Sequence, residues 1–216
     1  MQVLQEYFRY EKYRGQQLDV IEHVLGGNHA LVIMPTGMGK SLCYQIPAIL
    51  SATEPAGTNP LTLVISPLIA LMKDQVDSLR ARNIPATFIN SSLTRHVREQ
   101  RYEEVGRGDY ALLYVTPERF RKLDFLDVIR RREVRLLAVD EAHCISAWGH
   151  DFRPDYTRLG DIRETLGNPT TIALTATATA DVQRDIVRQL ALNPDDMRLF
   201  HEGIDRPNLD LRVEEI

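Results

Sequence analysis

Ala30-Leu31-Val32-Ile33-Met34-Pro35-Thr36-Gly37-Met38-Gly39-Lys40-Ser41 runs from an unbroken apolar segment, through a turn with two glycines, into a helical pattern beginning Leu42-Cys43-Tyr44. A short apolar run bounded by turn residues suits a strand buried on both faces. Gly37 and Gly39 let the backbone bend so that successive N–H groups point inward, a concavity that binds anions. A helix starting near Gly39 adds its positive dipole end. In that setting Lys40 reaches the β- and γ-phosphates of a nucleotide and the Ser41 hydroxyl meets Mg²⁺. The full phosphate-loop pattern opens with a glycine where this chain has Met34. The strand before it and the helix after it supply the context the motif requires, so Thr36, Gly37, Met38, Gly39, Lys40 and Ser41 read as a nucleotide-binding turn.

Outward from this turn the chain alternates short apolar runs with longer helical ones. Strands are expected at residues 30–34, 61–66, 86–90, 111–115, 135–139 and 170–175, and helices at 15–25, 39–50, 68–82, 94–106 and 179–192. Such alternation predicts an α/β domain, a mostly parallel β-sheet flanked by helices on both faces. Ligands in such sheets collect at the carboxyl ends of the strands. Residues 51–60, rich in Ala, Thr, Pro and Gly, read as an exposed loop, and Asn168-Pro169 as a further break.

A second chemical signal follows the apolar run Leu136-Leu137-Ala138-Val139, which leads directly into Asp140-Glu141-Ala142-His143. A carboxylate at the end of a buried strand is costly without a cation or hydrogen bonds. Asp140 is placed to hold Mg²⁺, directly or through water, and Glu141 to orient or deprotonate an attacking water. Together with the phosphate loop this makes a nucleoside triphosphatase site.

Composition bounds the rest. The chain has 216 residues, 44% hydrophobic and 26% charged. That suits a single domain with its own core. Cys43 and Cys144 are the only cysteines and have no zinc-site spacing; they read as small buried hydrophobes in a reducing compartment. No apolar run approaches the ~18 residues of a membrane span. No N-terminal signal segment is evident, and the expected setting is cytoplasmic or nucleoid-associated. The formal net charge of -4 requires any nucleic-acid contact to come from a local patch. The densest basic cluster, Arg130-Arg131-Arg132 with Arg135, reads as a solvated face outside the site.

The phosphate loop with Asp140-Glu141-Ala142-His143 resembles superfamily 2 helicases. The following block, Cys144-Ile145-Ser146-Ala147-Trp148-Gly149-His150-Asp151-Phe152-Arg153-Pro154, resembles the aromatic-rich loop of RecQ helicases. Other blocks agree in order. Phe8-Arg9-Tyr10-Glu11-Lys12-Tyr13-Arg14-Gly15-Gln16-Gln17 resembles an adenine-recognition motif. Ser66-Pro67-Leu68-Ile69-Ala70-Leu71-Met72-Lys73-Asp74-Gln75 resembles motif Ia, and Thr116-Pro117-Glu118-Arg119 motif Ib. Ala173-Leu174-Thr175-Ala176-Thr177-Ala178 resembles motif III, and Asp205-Arg206-Pro207-Asn208-Leu209 the lead into a second motor domain. Kinase and transporter phosphate-loop proteins lack the 144–154 block and the upstream Tyr10, Arg14 and Gln17 pattern. The chain departs from the family at Arg9, where glycine is common, at Gly15-Gln16, where Pro-Gly is common, and at Met38, where a third glycine is frequent.

The resemblance implies a single RecA-like P-loop NTPase domain over 1–216, with residues 1–27 as the adenine-recognition segment and 205–216 leading to a second RecA-like domain. It implies ATP and Mg²⁺ as cofactors and DNA, single-stranded or at a duplex junction, as partner, with 3′–5′ unwinding when the second domain supplies an arginine finger and closes the cleft. Tyr10 would stack on adenine, with Arg14 and Gln17 bonded to or flanking it. Lys40, Asp140, Glu141 and His143 would be catalytic, with Ser41 and Asp140 holding the metal. Ser66, Lys73 and Arg119, with Trp148, His150, Phe152 and Arg153, would meet DNA, the aromatics by stacking and the cations by phosphate contact. His143, Thr175 and Thr177 would relay DNA binding to the hydrolytic site. The alternative is a stand-alone nucleotide-binding regulatory module that unwinds nothing.

Overall fold

The computed structural model describes residues 2–53, 60–146 and 152–203. The expectations for Trp148, His150 and residues 205–216 lie outside them.

In chain order the elements are α1 (Gln2–Phe8), α2 (Gln17–Leu25), β1 (His29–Ile33), α3 (Leu42–Ala52), β2 (Leu61–Ile65), α4 (Ile69–Arg80), β3 (Ala86–Ile89), α5 (Arg95–Arg107), β4 (Leu112–Val115), α6 (Leu123–Ile129), β5 (Val134–Val139), α7 (Leu159–Thr165), β6 (Thr170–Thr175), α8 (Ala180–Gln189) and β7 (Met197–His201). Short 3₁₀ turns at Pro117–Arg121, Ala142–Ile145, Pro154–Arg158 and Pro194–Asp196 join them. The strands form one seven-stranded sheet in the order β3-β4-β2-β5-β6-β1-β7, with every pairing parallel.

Strand periodicity divides the core. Ala30 and Val32 of β1 face one side with α1, α2, α3 and α4, while Leu31 and Ile33 face the other with α5, α6, α7 and α8. Both faces of each central strand are therefore buried, which is why β2 and β5 read as continuous apolar runs.

Six strands and five helices fall where the sequence places them, with shifts at their ends. The largest, three residues each, are at the start of α3 and the end of α8; α3 is expected from Gly39 and found from Leu42. Gly39 has φ +77°, outside the helical region, and Lys40–Ser41 form a tight first turn. In that turn Leu42 N–H donates to Gly39 O at 3.0 Å and Cys43 N–H to Lys40 O at 3.0 Å. The helix expected to reach 192 stops at Gln189, since Ala191 has φ +51°. Thr94 and Thr179 cap α5 and α8, each accepting a backbone N–H at 3.4 Å.

Both cysteines are buried and neither forms a disulfide, and burial pushes the Cys43 thiol up to about 12. In the basic cluster at 130–135, Arg130 and Arg131 are exposed, as expected of a solvated face, while Arg132 and Arg135 are half-buried. Arg132 donates to Val105 O at 2.5 Å and Tyr110 O at 3.3 Å, while Arg130 pairs with Asp127 and Arg135 with Glu133.

Candidate active site and nucleic-acid interface

Because every strand is parallel, the segments that follow them emerge on one edge of the sheet. Met34–Ser41 follow β1, Ser66 follows β2, Thr116 follows β4, Asp140 follows β5 and Ala176 follows β6. In space β6 lies between β1 and β5, so the last residue of β6 stands between the phosphate loop and the acidic box.

That residue is Thr175, fully buried. Its carbonyl accepts from Met34 N–H at 3.1 Å. Its hydroxyl donates to Thr177 O at 3.0 Å and lies 2.9 Å from His143 Nδ1. A hydroxyl has one proton; with that proton on Thr177 O, the Thr175 oxygen accepts from His143, which fixes the proton on Nδ1. The same N–H faces Glu141 Oε2 at 3.3 Å. Phosphate loop, acidic box and the segment after β6 are thus joined by hydrogen bonds.

The loop itself is shaped by its glycines. Gly37 has φ +86° and Gly39 φ +77°. A Cβ added at Gly37 would enter open space, whereas one at Gly39 would come within 2.7 Å of Gln17 Nε2. Gln17 is buried beneath the loop. Its amide donates to Met38 O at 2.7 Å and Gly39 O at 3.2 Å, and its Oε1 accepts from Arg14 N–H at 2.9 Å. Arg14 Nη1 reaches Gly37 O at 3.5 Å. Gln17 therefore braces the phosphate loop from below, and Tyr10 is half-exposed beside this segment. Arg9, which stands where the family has glycine, adopts φ +61°, the left-handed backbone that glycine takes without strain. Gly39→Ala is expected to weaken ATP binding at least ~10-fold by displacing Gln17 and straining a left-handed position; titration with a fluorescent ATP analogue checks this.

Charges converge on the same edge. Lys40 Nζ donates to Met34 O at 2.9 Å. Burial lowers the Lys40 pKa, opposed by Glu141 and Asp140. Burial first, and Glu141 second, raise the Asp140 pKa from 3.8 to about 6, against the Glu141 N–H and Lys40. Glu141 N–H donates to Asp140 Oδ1 at 3.1 Å, and Glu141 has φ +49°, a left-handed strain of the kind that gathers at functional sites. A partly buried carboxylate held against its own solvation, a hydroxyl at Ser41 and an ammonium at Lys40 form a donor set that fits Mg²⁺ with a polyphosphate.

The candidate DNA residues divide. Ser66 and Arg119 are buried, while Lys73 and Phe152 are exposed. The Ser66 and Thr116 hydroxyls and Arg119 Nε are buried without a hydrogen-bond partner, on neighbouring carboxyl ends of β2 and β4. Arg153 closes the aromatic segment. Its N–H donates to Cys144 O at 3.0 Å and its Nη1 to Pro67 O at 3.2 Å, tying the segment to the motif Ia-like strand end.

Three supports escape sequence reasoning. Glu202, after β7, accepts from Gln16 N–H and fills the space over Gly15. Ser146 donates to Asp185 Oδ2 at 2.7 Å, pinning the start of the aromatic segment to α8. Tyr156, fully buried, reaches Asp140 O at 3.5 Å. None carries a motif; each is a single residue brought in by an element far along the chain.

The DEAD/DEAH box helicase family model matches residues 14–186. The chain is 46% identical over 215 residues to an ATP-dependent DNA helicase RecQ from Haemophilus influenzae, covering all of this chain and 33% of that protein. It is 44% identical over 213 residues to a RecQ helicase from Bacillus subtilis, covering 98% of this chain and 34% of that protein. The chain thus spans about a third of the length of these relatives. Among solved structures, the helicase MrfA bound to DNA and AMPPNP matches with a TM-score of 0.66 at 18% identity, over 87% of this chain and 26% of that one, a likeness of fold. With its phosphate loop, its Asp140–His143 box and the match across most of its length, the chain belongs to the DEAD/DEAH box helicase family and is similar over nearly all of its residues to RecQ helicases.

Proposed function

We propose that this chain is the ATP-binding half of a RecQ-like DNA helicase motor, which couples Mg²⁺-dependent ATP hydrolysis to 3′–5′ unwinding when joined to a second RecA-like domain. The observation that carries the reading is Thr175, bonded on one side to the phosphate loop through Met34 and on the other to the acidic box through His143.

Each residue then has a task. The N–H groups around Gly37 and Gly39 and the Lys40 ammonium neutralise phosphate oxygens. Ser41 and Asp140 would hold Mg²⁺, which when bound would supply positive charge to offset that of the phosphates. Glu141 orients and deprotonates the attacking water, with His143 Nδ1 3.3 Å from its carboxylate. Tyr10 and Arg14 receive the adenine, and Gln17 senses it by holding the loop carbonyls. On the DNA side, Lys73 and Arg153 meet phosphates, Trp148 and Phe152 stack on bases, and His150 borders them. The unpartnered Ser66, Thr116 and Arg119 atoms support a backbone contact, since a buried polar atom without a partner costs about 1–3 kcal/mol. Thr175 and Thr177 pass the response to the water-activating pair. The protein would work in the cytoplasm, on the nucleoid; among the described residues no helix is long and apolar enough to cross a membrane.

The test is Trp148→Ala and Phe152→Ala in the full-length protein. Each is expected to cut DNA stimulation of ATP turnover at least ~10-fold while ATP affinity stays within about twofold, since stacking supplies about 1–3 kcal/mol per base. Normal stimulation in both variants would sink the assignment of the 144–154 segment and favour the regulatory-module reading.

A further inference from the structure

Behind the phosphate loop, on the face covered by α3 and α4, a line of polar side chains crosses an otherwise apolar interior. Tyr44, Gln45 and Tyr114 are buried, and Gln75 is half-buried. Val64, Met72, Val76 and Ile46 belong to the same packed cluster. Gln45 Nε2 donates to Gln75 Oε1 at 2.8 Å and to the Tyr114 hydroxyl at 3.2 Å. The Tyr114 hydroxyl donates to the Tyr44 hydroxyl at 3.4 Å, and the two rings meet edge to face with centroids 6.3 Å apart. In the first turn of α3, Tyr44 N–H and Gln45 N–H donate to Ser41 O at 3.3 and 3.0 Å, which ties the line to Ser41.

Stability does not call for such a line. Phe and Leu fill the same volumes, and replacing both partners of a buried hydrogen bond by apolar groups is close to neutral. What the line does is join three elements that end at different parts of the site. Its α3 end is Ser41, assigned to Mg²⁺. Its β4 member, Tyr114, precedes Thr116 and Arg119. Its α4 member, Gln75, follows Lys73. Because every buried donor must keep its acceptor, a shift of α3 relative to β4 or α4 breaks bonds that water cannot replace.

We propose that Gln45, Gln75 and Tyr114 are positioning residues that hold the Ser41 end of the phosphate loop in register with the DNA-facing ends of β4 and α4, so that ATP and DNA strengthen each other's binding. This rests on the function proposed above. Coupling of this kind is reciprocal: the factor by which nucleotide tightens DNA binding equals the factor by which DNA tightens nucleotide binding.

The experiment uses Tyr114→Phe, Gln75→Leu, the double variant and Gln75→Glu, which keeps the acceptor for Gln45, all in the full-length protein. Three quantities are read: ATP turnover with and without single-stranded DNA, the DNA Kd with and without a non-hydrolysable ATP analogue, and Tm. Expected are DNA-free turnover and Tm near wild type, DNA stimulation lowered about 5–10-fold, and a Kd ratio moving towards one. The double variant is expected to be no worse than the more affected single, since both cut the same line, and Gln75→Glu to restore the ratio. An unchanged ratio in both single variants overturns the proposal. So does equal loss of turnover with and without DNA, or failure of Tyr114→Phe to fold, because the hydrogen bonds of the line would then serve stability alone. If wild type itself shows no DNA stimulation, the functional reading falls and the proposal with it; normal wild-type stimulation with unaffected variants removes the proposal only.

Discussion

Lys40→Ala is expected to abolish ATP turnover, by on the order of 10²–10³-fold, while leaving the protein folded. Lys40 is the one ammonium in the phosphate loop, and in this structure it lies 2.9 Å from Met34 O, tethered to the loop backbone. Burial already lowers its pKa, so the charge sits where few water dipoles compete with a phosphate. Alanine removes the charge directed at the transferring group but leaves the glycine backbone and the Gln17 brace intact. Nucleotide binding should therefore weaken less than turnover, and Tm should shift little. Single-turnover ATP hydrolysis measures the first and thermal unfolding the second; turnover near wild type would overturn the phosphate-loop assignment.

Asp140→Asn is expected to do two opposite things. Turnover falls at least ~10²-fold, because the anionic metal ligand is lost. Stability at pH 7.5 rises instead. The carboxyl titrates near 3.8 when unfolded and at about 6 in the folded chain, so the folded state binds the proton more tightly. The stability this gives the protonated form is complete below about 3.8 and is lost as pH rises through about 6. Above that pH the ionised carboxylate costs up to about 3 kcal/mol, from ~2 units at 1.36 kcal/mol each. Asparagine carries no such cost and keeps an oxygen for the Glu141 N–H. A gain of that size corresponds to roughly 6–12 °C in Tm for a domain of this length. Melting curves at pH 7.5 and pH 4 read it: the gain should be present at the first and nearly absent at the second. In the wild type, the Mg²⁺ concentration needed for half-maximal turnover should rise as pH falls through about 6. Equal Tm for the two proteins at pH 7.5 would contradict the burial of a charged Asp140.

What the sequence revealed and what it hid follow from the same physics. Central strands buried on both faces are legible when no charged residue interrupts them, as in Leu61-Thr62-Leu63-Val64-Ile65. The edge strand β7 escaped notice because Arg198 and Leu199 are exposed, so Met197-Arg198-Leu199-Phe200-His201 shows neither a continuous nor an alternating pattern. Helices α6 and α7 have seven residues each, too few to display a period. Within the site, the chemical residues were legible because phosphate and Mg²⁺ demand particular groups in sequence-adjacent positions. Their supports were not. Glu202 over Gly15, Asp185 on Ser146 and Tyr156 on Asp140 depend on strand order and helix packing, which single residues do not encode. Gln17 was legible as a residue of the site, yet its grip on Met38 O and Gly39 O emerged only from the fold.

The central claim is that one edge of this sheet joins an ATP site to a DNA contact. The most direct measurement is steady-state ATP turnover by the full-length protein across a titration of single-stranded DNA, with Mg²⁺ present and then chelated. The expected result is Mg²⁺-dependent turnover that rises at least ~10-fold on saturation with DNA. ATP turnover of equal rate with and without DNA would contradict it.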